Sequence, residues 1–364
     1  MKPVRAFFIL AFALSACSVD RSAAPIVTDA PADAETQTVF FATNRQKSAD
    51  GGLGFVRGRR VEYGKVTVSV PPNRDVGAVS NGGAEPDPRR DFAFLSKTDY
   101  ADNGAFRQSL RKGQVAGSRE LTVFVHGFNN SFSDAIFRMA QMRSDLDIPG
   151  ASLVYAWPSR AHPLGYQYDE DSVIFARDGL EETLRTAHAA TNGQLVLVAH
   201  SMGGYLLMEA LRQIEILDPG WTDRSVSTVI LISPDIGIDV FRSQMARIAR
   251  VPEPFVIFVS KRDRALRLSA VLTGEPERLG NLRDAETVAD LPVSIIDVTE
   301  FSDNTGINHF VPASSPALIA MLRRRDGLPQ DFLRGRPGTP ADLLTAQRDV
   351  LKNATTIILS PLAK

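Results

Sequence analysis

The stretch Gln194-Leu195-Val196-Leu197-Val198-Ala199-His200-Ser201-Met202-Gly203-Gly204 brings an apolar, β-branched run to a stop on a serine among small residues, and a helix-like run over residues 205–211 follows. A strand, a sharp turn and a helix in that order lift a serine hydroxyl to the apex of an elbow. The backbone there is strained, and the residues two before and two after the serine must be small. Ala199 and Gly203 hold those places. The usual pattern has Gly at the first, so Ala199 is a mild departure. The turn also sets the Met202 N–H at a helix N-terminus, where negative charge is favoured. The plainer alternative is a serine that merely caps the helix of an ordinary strand–helix turn.

A serine hydroxyl is a weak nucleophile at neutral pH and needs a base. The chain has 5 histidines from which to draw one. His200 adjoins the serine, and in an elbow its side chain points away from the hydroxyl as a support for the turn. His188 lies in a polar helical stretch and reads as a surface residue. His162 sits in a loop between Pro158 and Pro163, and His126 ends an apolar run. His309 lies beyond the strand expected at 293–298, in the loop where an elbow fold needs its base. Alone it would be a loop histidine; its place and chain order make it the expected base.

The base in turn needs a carboxylate to hold its tautomer. Asp263 follows the apolar run 255–260, and Asp235 follows the run before it. Either suits a loop or a helix cap, and Lys261, Arg262 and Arg264 offer Asp263 a surface ion pair instead. Asp263 stands two strands after the elbow and one before the base, so it is the expected acid, with Asp235 as the alternative. Two N–H donors for a tetrahedral oxyanion complete the set. Met202 supplies one. The other is expected from Phe128, or less favourably Asn129, after the run Leu121-Thr122-Val123-Phe124-Val125-His126-Gly127; that run also fits a simple strand-end turn.

These residues need a scaffold. Residues 38–42, 61–70, 92–95, 121–125, 152–156, 195–199, 228–232, 255–259 and 293–298 read as strands, the later ones apolar enough for a parallel sheet covered on both faces. Amphipathic segments lie between them. Phe132, Ile136, Met139 and Ala140 form one stripe, with Ser131 or Ser133 as cap, and Ile174, Leu180 and Leu184 form another. The alternation predicts a mostly parallel, doubly wound α/β sheet with helices on both faces.

A basic Lys2 and Arg5, a short apolar run over residues 6–14 and the sequence Leu14-Ser15-Ala16-Cys17 resemble a bacterial lipoprotein signal. Cys17 is the only cysteine, so it is the expected lipidation site and no disulfide is available. Ser18 after it weakly favours the outer membrane, facing the periplasm. The expected domains are a signal peptide at 1–16, a flexible tether at 17–36, a catalytic domain at 37–330 and a helical tail at 331–364, started by Thr339, Pro340 and Asp342. The net charge of −1 advertises no nucleic-acid partner. No zinc-type spacing is present, and no metal or organic cofactor is expected.

Taken together, these residues resemble the α/β-hydrolase superfamily. More narrowly, they resemble a bacterial esterase/lipase-like family long labelled only as a domain of unknown function. The match rests on Phe40-Phe41-Ala42-Thr43-Asn44-Arg45, Tyr63-Gly64-Lys65-Val66, Val123-Phe124-Val125-His126-Gly127-Phe128-Asn129 and Ala156-Trp157-Pro158-Ser159. It continues in Gly165-Tyr166-Gln167-Tyr168-Asp169, Ala199-His200-Ser201-Met202-Gly203, Ser233-Pro234-Asp235-Ile236, Asp263-Arg264-Ala265-Leu266 and the His309 loop. The resemblance implies Ser201 as nucleophile, Asp263 as acid and His309 as base. Trp157 lines the pocket or belongs to the core, and Tyr166 is a second pocket candidate. The expected activity is hydrolysis of small-molecule carboxylic esters through an acyl-enzyme. The alternatives are acyl transfer by the same triad, or a catalytically inactive binding lipoprotein. A segment at 159–171 and a loop near 273–286 are expected to form at most a modest cover.

Overall fold

The computed structural model describes residues 24–49, 51–114, 120–191, 193–275, 277–302, 307–323, 347–351 and 354–360. The expected signal peptide, Cys17 and the start signal at Thr339–Asp342 lie outside them.

Among the described residues eleven strands form one sheet: β1 (Glu35–Lys47), β2 (Leu53–Val70), β3 (Ala93–Tyr100), β4 (Leu121–Val125), β5 (Ala151–Tyr155), β6 (Leu195–His200), β7 (Val226–Ile232), β8 (Phe255–Val259), β9 (Ser294–Asp297), β10 (Gln347–Leu351) and β11 (Ala354–Ile358). Their order is β10-β11-β9-β8-β7-β6-β4-β5-β1-β2-β3. From β11 to β1 every neighbouring pair is parallel. The β1–β2–β3 meander and the β10–β11 hairpin add antiparallel edges. β1 begins at Glu35, so the sheet claims the last residues assigned to the tether.

Helices α1 (Asn103–Lys112), α2 (Phe132–Leu146), α3 (Tyr166–Ala190), α4 (Met202–Leu217), α5 (Trp221–Ser225), α6 (Ile238–Met245), α7 (Arg264–Thr273), α8 (Val311–Ser314) and α9 (Pro316–Arg323) surround it. Strand alternation divides the core in two. Val123 and Leu197 face a cluster that includes Phe106, Leu180, Leu211 and Phe241, from α1, α3, α4 and α6. Phe124 and Val198 face a second cluster built on Ile136, Met139 and Leu318, from α2 and α9. Both faces are therefore covered, which is why the central strands are apolar throughout.

α2 starts as expected. The Ser131 hydroxyl accepts from the Asp134 N–H, and the Asp134 carboxylate accepts in return from the Ser131 N–H. On α3 the buried stripe runs through Val173, Ala176, Leu180 and Leu184, while Ile174 is 44% exposed. Ile174 therefore sits one position off the stripe assigned to it. His188 is half-buried with its ring edge-on to Trp221, not a free surface group.

The tail corrects a further expectation. Val350, assigned to a helix, lies in β10, and the chain returns as β11 in parallel register with β9. The ladder of β9 offered an open edge, and pairing there satisfies backbone groups that a helix would have left to water.

Candidate active site

The elbow forms at the carboxyl end of β6. Ser201 has φ 53° and ψ −128°, a left-handed conformation that a non-glycine residue adopts only under constraint. Its own N–H donates to the Ile232 carbonyl, and its carbonyl accepts from Gly204 and Asp235. Its side chain makes no capping hydrogen bond to α4, so the plainer reading of Ser201 as an N-cap does not describe the residue. A Cβ on Gly203 would collide with the carbonyl oxygens of Val125 and His126. Only glycine lets α4 approach β4 this closely. Ala199 is wholly buried in the core, where its single methyl fits.

Gly127 brings the loop after β4 against the elbow. A Cβ there would lie 2.7 Å from both the Ser201 Cβ and the His200 Nδ1. The next N–H, that of Phe128, has no acceptor among the described residues, and neither has that of Met202 at the open N-terminus of α4. The Asn129 N–H, by contrast, donates to Asp169 Oδ2 at 3.2 Å. Of the two sequence options for a second oxyanion donor, the structure leaves Phe128 available.

His309 comes to the same place. Its Nδ1 lies 2.7 Å from Asp263 Oδ2, and its carbonyl oxygen lies 2.9 Å from His200 Nε2. The two rings stand 4.6 Å apart. Asp263 is completely buried, and its other oxygen accepts from the Leu266 N–H at 3.0 Å as the N-cap of α7. Lys261 and Arg262 turn instead to Asp297 and Glu300. The His309 side chain is 18% exposed while Ser201 is 1% exposed, so of the two it is the imidazole that meets solvent.

Asp235 does not meet His309. Its Oδ1 accepts from Arg278 Nε at 2.7 Å and Ser269 Oγ at 2.6 Å, and its Oδ2 accepts from the Tyr166 hydroxyl at 3.1 Å. It is the anion of a buried ion pair, and the alternative acid is thereby set aside on geometry. Trp157 is corrected as well. It is fully buried, donates from Nε1 to the His126 carbonyl at 2.7 Å and stacks on the His126 ring at 4.9 Å. Trp157 belongs to the core behind the loop rather than to a pocket wall. Tyr166 is half-buried, its ring 5.5 Å from that of Phe128. Burial and the charge of Asp235 push its phenol well above the ordinary range.

The structure also supplies a polar network around Asp169, a residue that the sequence left with no catalytic role and only a part in ordering its loop. Buried Asp169 holds the loop through three bonds: from Asn129 N–H, from Ser159 Oγ at 2.6 Å and from Arg160 N–H at 2.6 Å. Ser159 Oγ accepts in turn from the Asn130 N–H. Arg45, fully enclosed, donates to the Asn130 and Ser159 carbonyls at 2.9 and 3.2 Å. Desolvation lowers its pKa to about 10, with Asp169 opposing. Burial, then the charge of Arg45, holds His126 down at about 3, so the ring is neutral. Burial likewise holds His200 well below its usual range. The signal was present in the sequence as Arg45 inside an apolar strand and Asp169 at a helix start; what joins them is contact across more than a hundred residues. Among the described residues no cluster of His, Cys, Asp and Glu is arranged for a metal ion, and no helix is long and apolar enough to cross a membrane.

Among solved structures, the chain is similar to lipase B of Aspergillus fumigatus, with 15% identity over 66% of this chain and a TM-score of 0.36. It spans 63% of that lipase, less than two thirds of its length. A CIB-like hydrolase from Thermoplasma acidophilum shows 12% identity, covering 83% of this chain and 99% of that one, with TM-score 0.36. A peroxisomal alpha-beta-hydrolase from Saccharomyces cerevisiae shows 10% identity over 86% and 93%, with TM-score 0.35. No curated protein matches the sequence. A family model, however, matches residues 101–325, a stretch that takes in the elbow, Asp263 and His309. The chain belongs to that family, the alpha/beta hydrolases of unknown function designated DUF900, and has the α/β-hydrolase fold.

Proposed function

We propose that this hydrolase cleaves carboxylic esters with Ser201 as nucleophile, His309 as general base and Asp263 as the carboxylate that orients it. The observation that carries the reading is the 2.7 Å contact between His309 Nδ1 and buried Asp263, made directly beside the strained Ser201 elbow. In the proposed reaction His309 Nε2 takes the proton of Ser201 Oγ as the oxygen attacks the acyl carbon. Asp263 stabilises the imidazolium so formed. The N–H groups of Met202 and Phe128 receive the oxyanion. Collapse expels the alcohol, which leaves with the proton held by His309. Water then attacks the acyl-enzyme with His309 again as base, releasing the acid and restoring the serine.

Tyr166, against Phe128, is the proposed pocket wall. The proposed address is the bacterial envelope, through lipid on Cys17, and rests on Leu14-Ser15-Ala16-Cys17. The test of function is hydrolysis of a short-chain p-nitrophenyl ester by the chain from Ser18 onward, beside Ser201→Ala. Turnover that vanishes in the variant supports the reading; equal rates in both would sink it. Incorporation of labelled palmitate that Cys17→Ser abolishes tests the anchor.

A further inference from the structure

Two segments rise beyond the carboxyl ends of the parallel strands. On one side β1 and β5 last pair at Ala42 and Tyr155, yet β1 continues to pair with β2 as far as Lys47 and Leu53. The β1–β2 hairpin therefore overhangs the sheet. On the other side α7 leaves β8 at Asp263, and the chain is back at the same end by Gly280. The Gly280 carbonyl accepts from Ser260 and its N–H donates to Pro234. α7 is thus a cap over that end rather than a crossover, fastened by a 2.7 Å bond between Ser269 and Tyr166.

The outer side of this cap is apolar. Leu268, Val271 and Leu272, spaced to share one helix face, are 60%, 77% and 59% exposed. Ile307, 65% exposed, adjoins them, its carbonyl accepting from the Arg264 N–H at 3.1 Å. Leu164, 90% exposed, stands just ahead of the α3 start that Tyr166 ties to α7. A helix of a soluble domain turns its larger apolar residues inward. α7 instead buries Leu266, Ser269 and Ala270 and presents the leucines and valine to water. Concentrations of exposed apolar side chains mark contact surfaces.

Positive charge collects on the same end. Arg59 and Arg60 on the overhang, Arg160 above the Phe55 ring at 4.9 Å, and Arg267 on α7 are all exposed. None has a carboxylate within ion-pair distance among the described residues.

We propose that this end of the domain docks on an anionic lipid bilayer. The α7 stripe, Ile307 and Leu164 enter the headgroup region, and the arginines meet the anionic headgroups. A bilayer accepts scattered aliphatic chains and exposed guanidiniums on one end of a domain without a complementary groove, and that combination is what these residues present. Docking would face the solvent-exposed edge of His309 toward the membrane. It needs no turnover and stands apart from the role of Ser201.

The test uses the chain from Ser18 onward, which keeps every described residue and has no Cys17, in the Ser201→Ala form. Flotation is measured with vesicles of phosphatidylcholine alone and of phosphatidylcholine with an equal amount of phosphatidylglycerol. The expected result is partition at least about tenfold stronger onto the mixed vesicles. The combined Leu268→Ser, Val271→Ser and Leu272→Ser variant is expected to weaken it by roughly tenfold or more. Arg59→Gln with Arg60→Gln, which leaves α7 intact should the triple variant misfold, weakens it roughly fivefold per charge. No partition onto the mixed vesicles, or partition that both variants retain in full, overturns the proposal.

Discussion

Asp263 divides its carboxylate between two partners: Oδ2 meets His309 Nδ1 at 2.7 Å, and Oδ1 accepts the Leu266 N–H at 3.0 Å. One side chain thus fixes both the ring of the proposed base and the first turn of α7. Asp263→Asn separates the two roles. Its amide oxygen still caps α7, so unfolding free energy should change by about 1 kcal/mol or less. Its amide N–H then faces His309 and imposes the wrong tautomer, so kcat should fall by about three to four orders of magnitude. Steady-state kinetics beside a denaturant melt measure both effects. A variant with near-wild-type kcat would remove Asp263 from the mechanism.

Asp235 should behave in the opposite way. Its removal leaves Arg278, 8% exposed, without its closest anion. Asp235→Asn is expected to lower stability by about 3 kcal/mol, the low end for a broken buried pair because Glu275 still faces Arg278 Nη1 at 3.2 Å. The folded fraction should keep kcat within about tenfold of wild type, since the Asp235 carboxylate meets Arg278, Ser269 and Tyr166, and only its backbone N–H, unchanged in Asn, reaches the Ser201 carbonyl. A kcat loss matching that of Asp263→Asn would mean that the acid has been misassigned.

The loop carrying Phe128 depends on Asp169. Asp169→Asn replaces an acceptor for three donors with a group that turns one N–H toward them. The loop should shift, and displacement on the order of 1 Å at an oxyanion donor corresponds to about a hundredfold in kcat with KM little changed. Kinetics with a soluble ester would read this split. A rise in KM at constant kcat would show that Asp169 serves substrate binding instead.

The buried histidines set an acid limit on stability. His126 is held at about 3 and His200 well below its usual value, both mainly by burial. A folded-state pKa below the unfolded one contributes stability that is full above the unfolded value near 6.5 and is lost as pH falls. His126 then contributes about 2 kcal/mol less at pH 5 than at pH 7, and His200 acts in the same direction. Urea melts should show the protein weaker at pH 5 than at pH 7, and His126→Gln should remove about 2 kcal/mol of that difference. An unchanged pH slope in His126→Gln would mean that the ring is not buried neutral.

Much of this was legible in the sequence because it is local. The β6 run, Ser201, Gly203 and the first turn of α4 are contiguous, and their spacing alone requires an elbow. Chain order, once a sheet is assumed, favours Asp263 and His309, with Asp235 left as the alternative acid. What was not legible depends on long-range contact. Trp157 reads equally as pocket or core until its Nε1 meets the carbonyl of His126. Asp169 reads as a residue that orders its own loop, and its tie to the Phe128 loop, with that of Arg45, comes only when folding brings both to residues 129–130. Val350 fits a helical spacing with Leu343 and Leu344, and it is the open edge of β9 that draws this part of the chain into strands. Local pattern carries no trace of that edge.

The most direct test of the central claim is covalent. The chain from Ser18 onward, treated with a fluorophosphonate, should gain one adduct by intact mass. Peptide mapping should place it on Ser201, and His309→Ala should slow labelling by several orders of magnitude. No adduct, or an adduct on another residue with Ser201 unmodified, would contradict the account.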